Sequence, residues 1–286
     1  MRFAADRGGH QGWLAEREGV HLAGVSPGKG MDRHVLPVGA AVMLDEPGFL
    51  DAAMATAWWV APEEHPVPVT ELCGQEESFV LLAADGTGKT TVLRSLRARE
   101  PGAVEVNLST LGKAEIRGKL EAAVAGGAPV YLDAVDSAAR LEPAVYGILQ
   151  ECLTTADAAR VPWRLACRPA AWDPGLTEAL RSCSRPFREL RLLPLTRTAA
   201  IGVAAEEVSN PGGFVEALVL AGLGRLAASP MRLKTVARIW EDTGSLAASQ
   251  LEAIRLEIDH LLQETGGRWP RPAVPDDRRR RLGRVP

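Results

Sequence analysis

The chain has 286 residues, and 46% of them are hydrophobic, which is enough to bury the core of one large domain or of two medium ones. Its formal net charge of -3 and pI near 6.0 argue against nucleic acid as a general partner. No N-terminal signal sequence and no apolar run of about 18 residues is visible. We therefore expect a cytoplasmic protein without a membrane span.

Cysteine usage supports the same location. The four cysteines form no C-x-x-C pair and no Cys/His cluster, so no zinc site is expected. We expect buried free thiols at Cys73, Cys152, Cys167 and Cys183.

Residues 1–70 form a poorly patterned N-terminal segment, interrupted by Pro-Gly pairs such as Pro27-Gly28 and Pro47-Gly48. A short alanine-rich helix is predicted from Phe49 to Trp59. The segment Ser26–Gly30 superficially resembles a phosphate loop, but it lacks the order Gly-Lys-Thr and no strand precedes it. The segment as a whole is interpreted as an adaptor, a linker or a partly disordered region.

Strand-like and helix-like runs alternate from residue 71 to residue 195, which predicts an α/β domain with a parallel five-stranded sheet flanked by helices. The predicted strands are 78–84, 103–108, 129–133, 162–167 and 187–193. The predicted helices are 89–99, 113–125, 142–158 and 174–182.

The most informative run is Ala83–Thr90, A-A-D-G-T-G-K-T, which is one residue away from the pattern G-x-x-x-x-G-K-[ST]. An apolar strand, a glycine-rich turn and a helix N-terminus together form a cradle for anions, because backbone N–H groups and the helix dipole face the ligand. The pattern predicts a nucleoside triphosphate, with Lys89 reaching its β- and γ-phosphates and the Thr90 hydroxyl ligating Mg²⁺. The predicted binding residues are Ala84, Asp85, Gly86, Thr87, Gly88, Lys89, Thr90 and Thr91. The competing interpretation is a chance Gly-Thr-Gly-Lys-Thr in a surface turn.

Three further polar residues follow predicted strands. Asp133 ends the apolar strand Val130–Asp133 and is expected to bind Mg²⁺ through its water shell, opposite Thr90. Asp136 either orients or deprotonates the attacking water or caps a helix that begins at Ser137 or beyond, and the sequence leaves both open. Arg168 is expected to face the ligand crevice and report the loss of a γ-phosphate, or else to be a surface arginine paired with an acid. Asp136 and Arg168 are thus the candidate catalytic residues.

The region that follows the α/β domain is predicted to be helical as far as residue 265. Apolar residues at helical spacing predict a small all-helical subdomain at 196–265, with helices at 197–208, 213–226, 230–241 and 247–264. The tail 266–286 is rich in Arg and Pro and contains four consecutive arginines at 278–281. It is interpreted as a solvated tail or the start of a further helix, rather than as a binding site for RNA, DNA or anionic lipid.

The order and spacing of these motifs over roughly residues 76–265 resemble the NACHT group of STAND-type P-loop ATPases. The residues that carry the resemblance are Ala83–Thr91, Val130–Ser137, Leu165–Pro169, Leu190–Leu195 and Ser229–Leu233.

The resemblance implies roles for single residues. Lys89 binds phosphate, Thr90 and Asp133 serve Mg²⁺, Arg168 senses the γ-phosphate, and Pro230 lies by the adenine. Such proteins are switches: ADP holds a closed state, and ATP permits opening and self-association. In bacteria the family is associated with regulation and with defence against phage.

Two residues depart from the family pattern. Ala83 replaces a glycine, and Ser137 replaces an acid that would help to polarise water, so nucleotide binding is expected more firmly than hydrolysis. The family usually carries an effector domain before the ATPase and a winged helix with a sensor after it, so truncation is a further expectation. The alternatives are a non-catalytic or truncated nucleotide-binding scaffold, an AAA+ ATPase and, less favoured, a small-molecule kinase.

Overall fold

One mixed sheet of seven strands organises the computed structural model, which describes residues 33–51, 65–246 and 255. Across the sheet the strand order is β2-β1-β7-β3-β6-β5-β4. In chain order the strands are β1 (His34–Pro37), β2 (Val67–Pro68), β3 (Ser78–Leu82), β4 (Val104–Asn107), β5 (Val130–Asp133), β6 (Trp163–Cys167) and β7 (Phe187–Leu192).

Strand direction divides this sheet into two parts. The strands β7, β3, β6, β5 and β4 run parallel to one another. Strand β1 pairs antiparallel with both β7 and β2. The predicted α/β class is confirmed, but the prediction of a parallel five-stranded sheet is wrong. Two short strands from the N-terminal segment, β1 and β2, extend the sheet. They have four and two residues, which is too few to show a strand pattern in the sequence.

The strand that precedes the glycine-rich run lies inside the sheet. All five residues of β3 are buried, because helices cover both faces of the sheet. Its neighbours are β6 and β7, whereas the next strand in the chain, β4, lies at the far edge. A crevice opens beyond the carboxyl end of a strand where the connections diverge in this way, and such crevices bind ligands in α/β proteins.

Nine α-helices accompany the sheet in the described residues. They are α1 (Lys89–Arg97), α2 (Lys113–Ala125), α3 (Val135–Leu141), α4 (Val145–Leu153), α5 (Pro174–Ser182), α6 (Arg197–Ala204), α7 (Pro211–Leu220), α8 (Gly224–Ala227) and α9 (Pro230–Thr243). The helix predicted at 142–158 is shorter than expected, and α3 before it was not predicted. None of the described helices is long and apolar enough to cross a membrane.

Apolar side chains gather in separate clusters. Alternate residues of β3 pack into two clusters on opposite faces of the sheet, as the strand period of two requires. A third cluster joins α6, α7, α8 and α9, and it includes Phe49 from the N-terminal segment. Phe49, Leu50 and Asp51 are not helical, so the predicted start of the 49–59 helix is wrong. The rest of that helix, nearly all of the 247–264 helix and the 266–286 tail lie outside the described residues.

Candidate functional site

The glycine-rich loop, residues 83–88, leads from β3 into α1 and depends on two of its glycines. Gly86 and Gly88 have φ angles of 74° and 93°, in the left-handed region that glycine adopts readily. A Cβ atom at Gly86 would lie 2.8 Å from the Met231 Cβ, and one at Gly88 would lie 3.1 Å from an Arg33 guanidinium nitrogen. Both positions therefore need glycine for conformation and for space.

Ala83 takes the place of the first glycine of the pattern without visible strain. It has no positive φ, and its side chain is buried in the cluster that also contains Leu81 and Val92. Its backbone N–H donates to the Cys167 carbonyl at 3.3 Å. An alanine therefore fits the backbone of this loop.

Lys89, the first residue of α1, folds back over the loop. Its Nζ donates to the carbonyl oxygens of Ala83 at 2.8 Å and Ala84 at 2.9 Å. Burial lowers the pKa of Lys89, while the carboxylates of Asp136 and Asp85 act in the opposite direction. The lysine is thus held by neutral carbonyl oxygens and could exchange them for charged ones.

Arg33 supports the loop from the antiparallel edge of the sheet. Its buried guanidinium donates to the carbonyl oxygen of Thr87 at 2.6 Å and to that of Leu193 at 2.5 Å. The loop is therefore linked to the residue that follows β7. This role of Arg33 could not be predicted from a local pattern, because Thr87 and Leu193 are far from it in the chain.

Asp133 stands at the carboxyl end of β5 and is 5% exposed. Its Oδ1 accepts from the Ala134 N–H at 2.9 Å. Ala134 is the one non-glycine residue of the described chain with a positive φ, 60°, which costs an alanine about 1–2 kcal/mol. The left-handed conformation of Ala134 turns the chain between β5 and α3. The bond to Ala134 uses only Oδ1 of Asp133 and does not involve Oδ2.

Asp136 and Arg168, the two candidate catalytic residues, contact each other. The Nε of Arg168 donates to Asp136 Oδ2 at 2.5 Å, and its Nη1 lies 3.3 Å from Asp85 Oδ2. The hydrogen bond that Arg168 donates to Asp136, together with the negative charge of Asp136, raises the pKa of Arg168. Because α3 begins at Val135 and its N-cap is Ala134, the interpretation of Asp136 as a helix cap is wrong.

The N-terminus of α9 closes the other side of the loop. The Met231 N–H donates to the Gly86 carbonyl at 3.1 Å, and Pro230 lies beside Gly88. Lys234, one turn further along α9, also faces the cleft. Sequence reasoning found Pro230 but missed Met231 and Lys234, although the helical spacing from Pro230 was a signal for Lys234.

These elements enclose a cleft of about 420 Å³ at the carboxyl edge of the sheet. Its charged lining consists of three carboxylates, Asp85, Asp133 and Asp136, and two lysines, Lys89 and Lys234. Its uncharged lining is Gly86, Gly88, Thr90, Thr91, Ala134, Ser137, Pro230 and Met231. Arg168 lies behind two of the carboxylates. Arg168 forms ion pairs with Asp85 and Asp136, so the three carboxylates face three cationic side chains, and Asp133 is the carboxylate that could hold a cation accompanying a phosphate chain.

Thr90 and Asp133 are the residues in this cleft that match a Mg²⁺ ion. Mg²⁺ retains several waters and takes one or two protein oxygens together with substrate phosphates. Such a sparse donor set is provided here by Asp133 Oδ2 and by the hydroxyl of Thr90, which is the second residue of α1. Within the described ranges, no group of three His, Cys, Asp or Glu side chains is close enough to hold a metal.

No protein-family model matches this chain, and no curated protein is significantly similar to it. The resemblance to the NACHT group therefore depends on the quoted motifs. The geometry of the cleft provides a separate line of argument, because it does not depend on any relative.

Proposed function

We propose that the chain binds ATP and ADP with Mg²⁺ in this cleft and acts as a nucleotide-dependent switch of the NACHT type. The observation that carries the proposal is the meeting of the glycine-rich loop, Lys89, Thr90 and Asp133 around one cleft at the carboxyl edge of the sheet. Asp133 lies far in sequence from the contiguous run 83–90, and a chance Gly-Thr-Gly-Lys-Thr would not require a carboxylate at this place.

The loop and Lys89 are assigned to the phosphates. The positive φ angles of Gly86 and Gly88 turn the backbone so that successive N–H groups can form a concave anion site ahead of α1. Lys89 then exchanges the carbonyls of Ala83 and Ala84 for phosphate oxygens, which accept stronger hydrogen bonds because they are charged.

Thr90 and Asp133 are assigned to Mg²⁺, which neutralises phosphate charge when it is bound. Asp133 is held by its bond to Ala134, and this bond fixes the direction of the carboxylate. Arg168 pairs with Asp85 and Asp136 but not with Asp133, and the charge of Asp133 beside the phosphates is a physical reason to expect that nucleotide binds poorly without the ion.

Slow hydrolysis follows from the pairing of Asp136. The Asp136 carboxylate accepts a hydrogen bond from Arg168, and this bond occupies one of the two oxygens that could take a proton from water. The adjacent Ser137 carries no charge to assist it. A switch needs a long-lived bound state, so slow turnover is compatible with control of self-association by ATP. The resemblance further suggests a role in bacterial regulation or phage defence.

A second candidate function is a non-catalytic nucleotide-binding scaffold. The bond between Arg168 and Asp136 and the serine at position 137 favour it, since both reduce the capacity of the site to activate water. Binding with no measurable hydrolysis over many hours would support the scaffold over the switch.

Calorimetry of the whole chain with ATP or ADP, with and without Mg²⁺, tests the proposal. Lys89→Ala removes the phosphate contact and should weaken binding by about 10- to 100-fold, the value of one or two charged hydrogen bonds. Asp133→Ala should mainly abolish the dependence on Mg²⁺.

Lys113→Ala is the matched control. Lys113 is an exposed lysine whose Nζ lies 3.2 Å from Glu142 Oε1, and it does not line the cleft. It should leave binding unchanged. A wild-type chain that binds neither nucleotide, or binding that is indifferent to Lys89→Ala and Asp133→Ala, would show that the proposal is wrong.

A further inference from the structure

Lys234 is a second lysine of the cleft, and it comes from a different part of the fold than Lys89. Lys89 begins the helix that follows β3, whereas Lys234 belongs to α9, whose apolar side packs in the helical cluster with Phe49. Both line the same cleft. A ligand that contacts both lysines would therefore join the sheet to the helical cluster.

The first turn of α9 fixes the direction of Lys234. Residues three or four apart lie on one face of a helix, so Lys234 shares a face with Pro230 and Met231. Met231 hydrogen-bonds to the Gly86 carbonyl, and Pro230 lies next to Gly88. The face that carries Lys234 is therefore already packed against the phosphate-binding loop.

The ammonium group of Lys234 currently contacts two carboxylates that follow α6. It forms an ion pair with Glu206, and its Nζ lies 3.9 Å from Glu207 Oε1. Its side chain is partly exposed. Partly exposed ion pairs contribute little to stability, so exchange of a carboxylate for a more highly charged anion is favourable.

We propose that Lys234 binds the phosphate chain of the nucleotide and releases Glu206 when it does so. This inference rests on the proposed function, because it places a second cation at the same ligand. It also adds to that function, since phosphate occupancy would then change the contact between α6 and α9. The helical cluster would in this way respond to nucleotide through one side chain.

Arg238 provides a matched control on the same helix. It lies one turn beyond Lys234, and its Nε is 3.0 Å from Glu207 Oε2, but it does not line the cleft. Lys234→Gln and Arg238→Gln each remove one positive charge and its ion pairing with the carboxylates that follow α6. Only Lys234→Gln removes a cation from the cleft.

The experiment measures binding of ATP with Mg²⁺ to the whole chain by calorimetry, with the thermal midpoint of each variant recorded. Lys234→Gln should weaken binding about tenfold, the value of a charged hydrogen bond, and Arg238→Gln should leave binding unchanged. Lys234→Arg keeps the charge and should bind nearly as the wild type does. Glu206→Gln removes the nearer of the two carboxylates that hold Lys234 and should tighten binding, a gain that damage to the fold cannot produce.

The possible outcomes separate this inference from the proposed function. If Lys89→Ala loses binding while Lys234→Gln binds as the wild type does, the role of Lys234 is refuted and the nucleotide site stands. Equal losses in Lys234→Gln and Arg238→Gln would assign the effect to the ion pairs and also refute it. If the wild type binds no nucleotide, both the proposed function and this inference are wrong.

Discussion

Strand β6 contains one arginine, Arg164, and is followed directly by another, Arg168, and the surroundings of the two differ. Arg164 lies inside the sheet and is 0% exposed, and its guanidinium donates to the backbone carbonyls of Gln75 and Glu77. It also stacks 4.9 Å from the centre of the Phe79 ring. Arg168 follows the end of the strand, and its side chain is 28% exposed.

The partners of the two arginines explain which one can take part in ligand binding. Arg164 is held by main-chain oxygens that have no freedom to move away, and its burial lowers its pKa. Arg168 is held by the side chains of Asp136 and Asp85 at the edge of a cleft. Carboxylates can rotate and yield to a phosphate, whereas the carbonyls of Gln75 and Glu77 belong to the backbone that leads into β3 and cannot rotate in this way. Chemical type alone therefore does not identify the functional arginine.

The largest expected effect comes from Arg164→Met. It leaves Glu100, which is 9% exposed and lies 3.8 Å from the Arg164 guanidinium, without its cation, and it removes the donors to two partly buried carbonyls. Breaking a buried pair in this way should lower the free energy of unfolding by about 3–5 kcal/mol. Urea denaturation of the variant and the wild type measures the loss.

Arg168→Met is the matched control, because it makes the same substitution directly after the same strand. We expect a smaller loss of stability, because the Arg168 side chain is itself 28% exposed and one of its two partners, Asp85, is open to water. Equal losses in the two variants would break the comparison, and Arg168 would then be a structural residue like Arg164.

The sequence predicted the parallel part of the fold well because buried parallel strands are continuous apolar runs. The predicted strands 78–84 and 162–167 differ by at most two residues at either end from β3 and β6. The antiparallel strands β1 and β2 were missed because their pairing is tertiary. Val35 pairs with Val67 and Leu192, and no local pattern links these residues.

The same distinction applies to the candidate site. Asp133 and Arg168 were found because each follows an apolar strand, which is a local feature of the chain. Arg33 and Lys234 were missed because their positions depend on packing between segments far apart in sequence. The four-residue step from Pro230 to Lys234 was visible, but nothing in the sequence showed which face of that helix meets the loop.

The second largest expected effect is a change in the preference for ATP over ADP. If Arg168 senses the γ-phosphate, as the resemblance implies, Arg168→Gln should weaken ATP binding about tenfold and change ADP binding little, because one charged hydrogen bond is lost with the triphosphate alone. Calorimetry with both nucleotides and Mg²⁺ gives the two ratios. A parallel loss for ATP and ADP would mean that Arg168 acts only by holding Asp136 and Asp85 in place.

The smallest expected effect sharpens the comparison from the opposite direction. The Asp85 side chain is 69% exposed, and its Oδ2 lies 3.3 Å from Arg168 Nη1. The Asp85 carboxylate therefore competes with phosphate for Arg168, and it also adds negative charge beside the proposed phosphate site. Asp85→Asn should therefore tighten ATP binding by about threefold, as expected for a weak exposed pair.

Glu105→Gln makes the same change in charge elsewhere. Glu105 lies on β4, its Oε1 is 3.2 Å from Arg94 Nε, and it does not line the cleft. It should leave ATP affinity unchanged. Tighter binding in Asp85→Asn that disappears in the double variant with Arg168→Gln would show that Asp85 acts through the arginine. A gain that survives in the double variant would instead show that Asp85 simply repels phosphate, and the exchangeable partners of Arg168 would then not include it.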